Sequence, residues 1–403
     1  MKRVLSMIPA ILIFCVLGFG ISNKSISIGE NDPQTPPRLR SAQAQGGLYT
    51  YDSPFEGDLI SYSPFEGGQG DVKTNNPIKI GLLIQTSTSS EARNGASLAI
   101  DEANKKGGFN GRKFELVVKS MEGPWGTGSK QAVDLIFKDE VIAIVGSHDG
   151  RNAHLVEQAT TKSNVCFVSA WAGDPSLSQA FTPWFFNCVP NDNQQADMLM
   201  PEIAGKKYSV LTLITDEDYD AGSAFRSFSA KTQKAGTPRP VAIVLDKAES
   251  EISEMVKMII SRKTDCLGLF TEPASAGRII CRLKELKYPL QIYGPLSLLK
   301  DSSPVYNYPE VLKNVQLLTS GDWFMKMNSE FAVRYCEKYN SWPEAAAAYS
   351  YDAVNIIINA VLAVHGDRDK IQKAIMSSDY HGATGTIKFD ERGNRIYRTG
   401  KRE

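Results

Sequence analysis

The sequence predicts an α/β protein built as two doubly wound parallel-sheet lobes. Two observations carry this. From Ile78 onward, apolar runs of strand length alternate with helix-length segments that are apolar on one face. The strand runs are continuously apolar, as expected of strands covered on both faces. A third observation is their number: they are too many for one small sheet, and 403 residues suffice for two lobes with real cores.

"IKIGLLIQ" is the first strand, and "SEARNGASLAIDEANKK" the first helix. In that helix Ala92, Ala96, Ala99, Ile100 and Ala103 share a face, and Gly107-Gly108 stop it. "KFELVV" is strand, "KQAVDLIFKDE" helix, "VIAIVG" strand, "RNAHLVEQATTK" helix and "VCFVS" strand. The alternation continues through "SVLTLIT", "GSAFRSFSAKTQKAG", "PVAIVLD", "ISEMVKMIISRK", "CLGLFTE", "AGRIICRLKELK", "LQIYG" and "VQLLTSG". The end of the chain differs. "FAVRYCEKY", "PEAAAAYSYDAVNIIINAVLAVHG" and "RDKIQKAIMSS" read as helices, then comes a short strand, "GTIKF", and a turn, "DERGN". Helices arriving so late imply that the chain returns to pack on the first lobe.

The segments before Ile78 read differently. Lys2 and Arg3 precede an apolar run, Ile8 to Ile21, that has the length of a secretory signal and is short for a membrane span. Residues 1–22 are read as a signal peptide, with cleavage after Gly20 or Ser22, and the protein as exported. Residues 23–76 show no periodicity and carry SPFEG twice, at 53–57 and 63–67; they read as an unstructured leader. With Cys15 inside the signal, Cys166, Cys188, Cys266, Cys281 and Cys336 remain, an odd number. Cys166 and Cys188 lie in apolar strand-like runs and read as buried free thiols.

Composition excludes some function classes. Lys plus Arg and Asp plus Glu are 45 each, so no basic excess points to nucleic acid. "GPWGTGSK", Gly123 to Lys130, lies between a strand and a helix and has the look of a phosphate loop. A phosphate loop needs Gly-Lys-Ser/Thr, with the hydroxyl after the lysine. Here Ser129 precedes Lys130, so the hydroxyl is misplaced. The first strand is followed by "QTSTSSEARNG", not by G-x-G-x-x-G. His148, Asp149 and His154 lack a metal-ligand spacing, and no G-x-S-x-G elbow occurs. Asp216, Glu217, Asp218 and Asp220 follow a strand and read as a solvated loop. No catalytic residue, metal or cofactor is expected, and the protein is read as a non-enzyme.

A resemblance sharpens this. "NGASLAIDEANKKGGFNGRKFELVV", "IAIVGS", "FVSAWAGDPSLS", "TDEDYDAG", "WPEAAAAYSYDAVNIIINAV" and "GATGTIKFDERGN" occur in the order and spacing of one family. The chain from Ile78 to about Asn394 resembles the type I periplasmic solute-binding proteins of the leucine/isoleucine/valine-binding group, which serve ABC importers. The resemblance implies two lobes joined by crossover strands that close on a small ligand. One lobe would be 77–191 with 321–378, the other 192–320 with 379–403.

The resemblance also implies a ligand site. The loop after the third strand supplies Asp149, Gly150 and Arg151, with Gly150 or Arg151 where the family has a serine. The loop after the fourth supplies Trp171, Ala172 and Gly173, with Gly173 at a family threonine and Trp171 in place of a small residue. Tyr219 matches a tyrosine that covers the ligand. The family's acidic partner for an α-ammonium falls at Leu296, so Glu272 or Asp149 is the substitute candidate. Trp125, at the end of the second strand, is a rim candidate. The expected function is capture of a small polar ligand, an amino acid or related amide or carboxylate, for a membrane permease. The protein is expected to be a periplasmic monomer. An envelope sensor of the same fold, an enzyme using the cleft acids, and a degenerate member with a scaffold role are the alternatives.

Overall fold

The computed structural model describes residues 76–124, 126–146, 149–232, 237–245, 249–300, 315–317 and 329–396. The proposed signal, almost all of the SPFEG leader and Trp125 therefore lie outside the described residues.

The first lobe runs β1 (Ile78–Ile84), α1 (Glu91–Lys105), β2 (Phe114–Ser120), α2 (Thr127–Phe137), β3 (Ala143–Gly146), α3 (Gly150–Lys162), β4 (Cys166–Ser169) and β5 (Phe185–Asn187). Its sheet has the order β2-β1-β3-β4-β5, all parallel. The second lobe runs α4 (Asp192–Gly205), β6 (Leu211–Thr215), α5 (Tyr219–Thr232), β7 (Val241–Val244), α6 (Glu249–Ser261), β8 (Cys266–Phe270), α7 (Pro273–Glu285), β9 (Gln291–Gly294) and β10 (Val315–Leu317). Its order, β10-β9-β8-β6-β7, is the same winding repeated: the first strand of each lobe lies between its second and third. Each sheet thus has one point where the chain reverses direction, between β1 and β3 and between β6 and β8. Ligands collect at such points, at carboxyl ends of strands.

The continuous apolar runs do what burial on two faces demands. Ile80, Leu82 and Leu83 of β1 and Leu213 and Ile214 of β6 are fully buried. Edge strand β7 instead alternates, with Val244 outward. Helix α4 has no counterpart among the sequence-predicted elements. Pro201 interrupts it and its apolar residues are not sorted to one face, but Asn191 and Gln194 form a capping box that starts it.

After β10 the chain returns to the first lobe as α8 (Glu330–Tyr339), α9 (Ala345–Ala363) and α10 (Arg368–Met376). Glu91 of α1 accepts from the Tyr335 hydroxyl at 2.9 Å and the Glu344 N–H at 3.0 Å. Glu102 accepts from Arg334 and from the Tyr351 hydroxyl, both at 2.7 Å. Helix α9 is long and apolar enough to cross a membrane, but it is the buried core helix of this lobe.

The last described residues form a hairpin, β11 (Tyr380–Gly382) with β12 (Gly385–Ile387), antiparallel. This stretch was expected with the second lobe. Its bonds run largely to the first: Asn187 of β5 donates to the Gly393 carbonyl at 2.7 Å, and Phe389 meets Phe186 at 5.2 Å between ring centroids. Cys166, Cys188 and Cys266 are buried free thiols, and burial pushes Cys166 up to about 12.

Candidate functional site

Loops at the carboxyl ends of strands in the two lobes meet, with Gly150 bonding Asp220 and Tyr219 bonding Asp174. From the first lobe come the start of α3 and residues 170–176 after β4. From the second come the loop after β6, the start of α7 and the segment after β9.

Asp149 caps α3. Its Oδ1 accepts from the Asn152 N–H at 2.7 Å and its Oδ2 from the Asn152 side chain at 2.8 Å. Its carboxylate is turned to its own helix, which removes it as a substitute acid for a ligand ammonium. Gly150 follows, buried, and its N–H donates to Asp220 Oδ1 of the other lobe at 2.8 Å. A Cβ on Gly150 would stand 2.9 Å from both Asp174 Cβ and Tyr219 Cε1, and 3.2 Å from Asp220 Oδ1. Only glycine lets the two lobes approach this closely. Arg151 is exposed and lies over the Tyr219 ring at 5.3 Å, a cation–π contact across the cleft.

Trp171 does not bring a flat face to the cleft. It is buried at the end of β4 and meets Tyr349 of α9 edge-on at 6.2 Å. A large apolar ring beside the core helix is more stable inside than in a polar cleft. Ala172 is also enclosed: its carbonyl accepts from Asn187 at 2.9 Å and its N–H donates to Ser169 Oγ. The side of Gly173 is filled by Asp192, whose Oδ1 would stand 2.5 Å from an added Cβ. Thus the place of the threonine hydroxyl that the resemblance expects is taken by the neighbouring Asp192 carboxyl group, whose pKa burial raises.

Tyr219 opens α5, and its hydroxyl donates to Asp174 Oδ2 at 2.8 Å. Asp174 also accepts from the Ser176 N–H and hydroxyl at 2.8 and 2.6 Å and lies 3.2 Å from His154 Nε2. Burial alone would raise its carboxyl. The hydrogen bonds from His154, Ser176 and Tyr219 outweigh burial and hold it well below the usual range.

The acidic loop after β6 is not a solvated run. Asp216 is buried at the reversal point of the second sheet and accepts from the Glu272 and Asp218 N–H groups at 2.8 and 3.0 Å. Asp218 accepts from the Ala221 N–H at 2.9 Å and so starts α5. Asp220 is buried, 3.2 Å from Lys300 Nζ. Burial pushes Asp220 up to about 6, against the pull of Lys300; Lys300 stays charged in spite of burial because Asp220 and Asp218 face it. Glu217 alone of this loop is exposed. Glu272 stands half-buried at the start of α7 beside Asp216, so it remains a candidate on this wall. Leu296 is buried, and its N–H donates to Gln195 Oε1 at 2.8 Å.

So the structure brings Gly150, Arg151 and Tyr219 together. It adds Asp174, His154, Asp220 and Lys300, which the sequence reading did not choose. Asp174 lies in "AGDPS", and Asp220 in the acidic loop. Lys300 carries no local signal, since its partners lie some 80 residues earlier in the chain.

His154 offers a pH test of this contact. Its bond to Asp174 raises its pKa above the ordinary 6.5, although burial opposes the rise. The stabilisation given by the protonated ring is complete below about pH 6.5 and is lost as pH rises through the raised value. The melting temperature of the wild type should therefore exceed that of His154→Gln at pH 5.5–6, and the gap should close toward pH 8.5. A gap that is constant with pH would show that the pair carries no charge-dependent stability. Comparing the two proteins cancels titration of Asp220, which falls in the same window.

Two α/β lobes of one winding thus meet at the carboxyl ends of their strands. A family model described as periplasmic binding protein matches residues 77–400, and the chain belongs to that family. An amino acid binding protein of Pseudomonas aeruginosa is 21% identical over 310 residues, covering 74% of this chain and 81% of its own. The branched-chain amino acid transporter substrate-binding protein LivJ of Streptococcus pneumoniae, solved with isoleucine, superposes with a TM-score of 0.67 at 20% identity, over 79% of this chain and 93% of that one. A solute-binding protein of an ABC transporter from R. palustris, solved with benzoate, gives a TM-score of 0.67 at 17% identity, over 79% and 91%. At these identities the likeness to the solved structures is one of fold, and that fold is the type I periplasmic binding protein fold. The family is that of periplasmic binding proteins.

Proposed function

We propose that the protein is an extracytoplasmic solute-binding protein of an ABC importer. It captures a small polar ligand, an amino acid or a related amide or carboxylate, between its lobes by hinge closure. The observation that carries this reading is the meeting of Tyr219 from one lobe with Asp174 from the other, at the carboxyl ends of both sheets. The named ligands of similar proteins, isoleucine and benzoate, support the size class. Binding uses hydrogen bonds from the start of α3, Tyr219 and the wall near Glu272, with Arg151 at the mouth. Export by the 1–22 segment and the lobe boundaries given above as far as residue 378 belong to the same reading.

The test is a thermal-shift screen of amino acids, amides, ureas and small acids on the purified protein, followed by calorimetry. One solute should raise the melting temperature in a saturable way. Tyr219→Ala should weaken its binding by about 1 kcal/mol or more, roughly fivefold in Kd. No shift with any solute would sink the proposal, and unchanged affinity in Tyr219→Ala would remove Tyr219 from the site.

A further inference from the structure

The geometry points to Asp220 as a specificity-determining residue: its carboxylate occupies the anion place at the start of α3 and restricts the cleft to ligands without a free carboxylate. This rests on the solute-binding reading above and narrows it: of the ligand classes named there, amides remain, and free amino acids and carboxylates are excluded.

The start of a helix holds anions because its first N–H groups are unpaired and its dipole is positive there. In α3 that place is already taken by a carboxylate of the protein itself. The Gly150 N–H donates to Asp220 Oδ1 at 2.8 Å, from the other lobe. The second oxygen faces Lys300 Nζ at 3.2 Å. Asp220 and Lys300 are 6% and 7% exposed, so this is a buried, paired carboxylate and not a passing surface contact. Lys300 also lies 3.6 Å from Asp218.

The glycine at 150 is part of the same arrangement. An added Cβ would press on Tyr219, Asp174 and Asp220 at once. The resemblance puts a serine at Gly150 or Arg151, and it is Gly150 that leaves the room beside Asp220. The smaller residue on one lobe admits the larger, charged one from the other. A free carboxylate entering the cleft would have to displace Asp220 or sit beside it. It would also face the carboxyl groups of Asp149, Asp174, Asp192 and Asp218, with Lys300 as the buried cation beside them.

Removing the plug should convert the protein into a carboxylate binder. In Asp220→Gly the Gly150 N–H and Lys300 stand ready, and an added carboxylate can replace the missing one. Sodium acetate, benzoate and L-leucine, tested against sodium chloride at equal ionic strength, should raise the melting temperature of Asp220→Gly by several degrees and leave the wild type unmoved. Asp220→Asn keeps the volume, so it should not respond. A saturable response of the wild type, or an equal response of Asp220→Asn, would overturn the proposal. So would a folded Asp220→Gly that ignores all three. Gly150→Ser gives an independent reading should Asp220→Gly fail to fold. Its side chain cannot share the space, so small-angle scattering should show a larger radius of gyration than the wild type; an unchanged radius would overturn the proposal. The two readings separate cleanly. Rescue of Asp220→Gly with a wild type silent to every solute supports the plug and counts against solute binding. A wild type that binds an amide, with no rescue in the variant, sinks the plug alone.

Discussion

Replacing Asp352 by alanine is expected to destabilise the protein by about 3–5 kcal/mol, the range for removing one partner of a buried ionic and hydrogen-bonded network. Asp352 lies in α9 with no exposed surface. Its Oδ1 accepts from the Ala383 N–H at 2.8 Å and the Tyr380 hydroxyl at 3.2 Å. Its Oδ2 accepts from the Thr384 N–H at 2.7 Å and hydroxyl at 2.6 Å. The Thr384 hydroxyl in turn accepts from Arg395, whose guanidinium also donates to the Cys188 carbonyl at 2.9 Å. One carboxylate thus fastens the closing hairpin to the core helix and, through Thr384 and Arg395, to the end of β5. Burial raises its pKa, so the ion itself is costly to hold. Removing it relieves that cost but leaves buried donors without their acceptor, and the second effect is larger. Asparagine should not restore stability, because its amide N–H₂ would face an N–H donor. Urea unfolding measures the change, and a loss below about 1 kcal/mol would show that the hairpin is held by apolar packing instead.

Gly95→Ala is expected to cost about 3 kcal/mol, at the upper end for overpacking a core. A Cβ there would lie 2.6 Å from the carbonyl carbon of Ala347 and 2.8 Å from its Cα, with the carbonyl oxygen nearer still. The obstacle is main chain, so no side-chain rotation relieves it, and α1 and α9 must move apart. The two helices are also joined at the start of α9, where Glu91 of α1 accepts from the Glu344 N–H at 3.0 Å. Shortening the neighbour by Ala347→Gly should therefore not rescue Gly95→Ala. Rescue in a thermal melt of the double variant would mean that the collision is with a side chain.

The architecture was legible before any coordinates. Continuous apolar runs identified strands buried on both faces, and the 3.6-residue spacing of Ala92, Ala96 and Ala99 identified the face that α9 covers. Those signals are local, because the period of the backbone sorts side chains into faces. Helix α4 escaped because Pro201 and scattered apolar residues blur that period. Its capping box at Asn191 and Gln194 was the signal available.

The candidate site was legible only in outline. Gly150, Arg151 and Tyr219 came from matching motifs, and their loops do meet. Trp171 could not be assigned from sequence, because a loop residue has no period to show whether it faces cleft or core. Tyr349, nearly 180 positions later, decides it. Asp220 reads as one of several acids in a loop until Gly150 and Lys300 are brought to it, from about 70 residues before and 80 after. The sequence by itself determined the two windings and the residues that form their cores, since burial follows from patterns a few residues long. Tertiary structure alone decided which carboxylates cross between the lobes, because Asp220 and Asp174 find there partners that only the packed lobes bring within 3 Å.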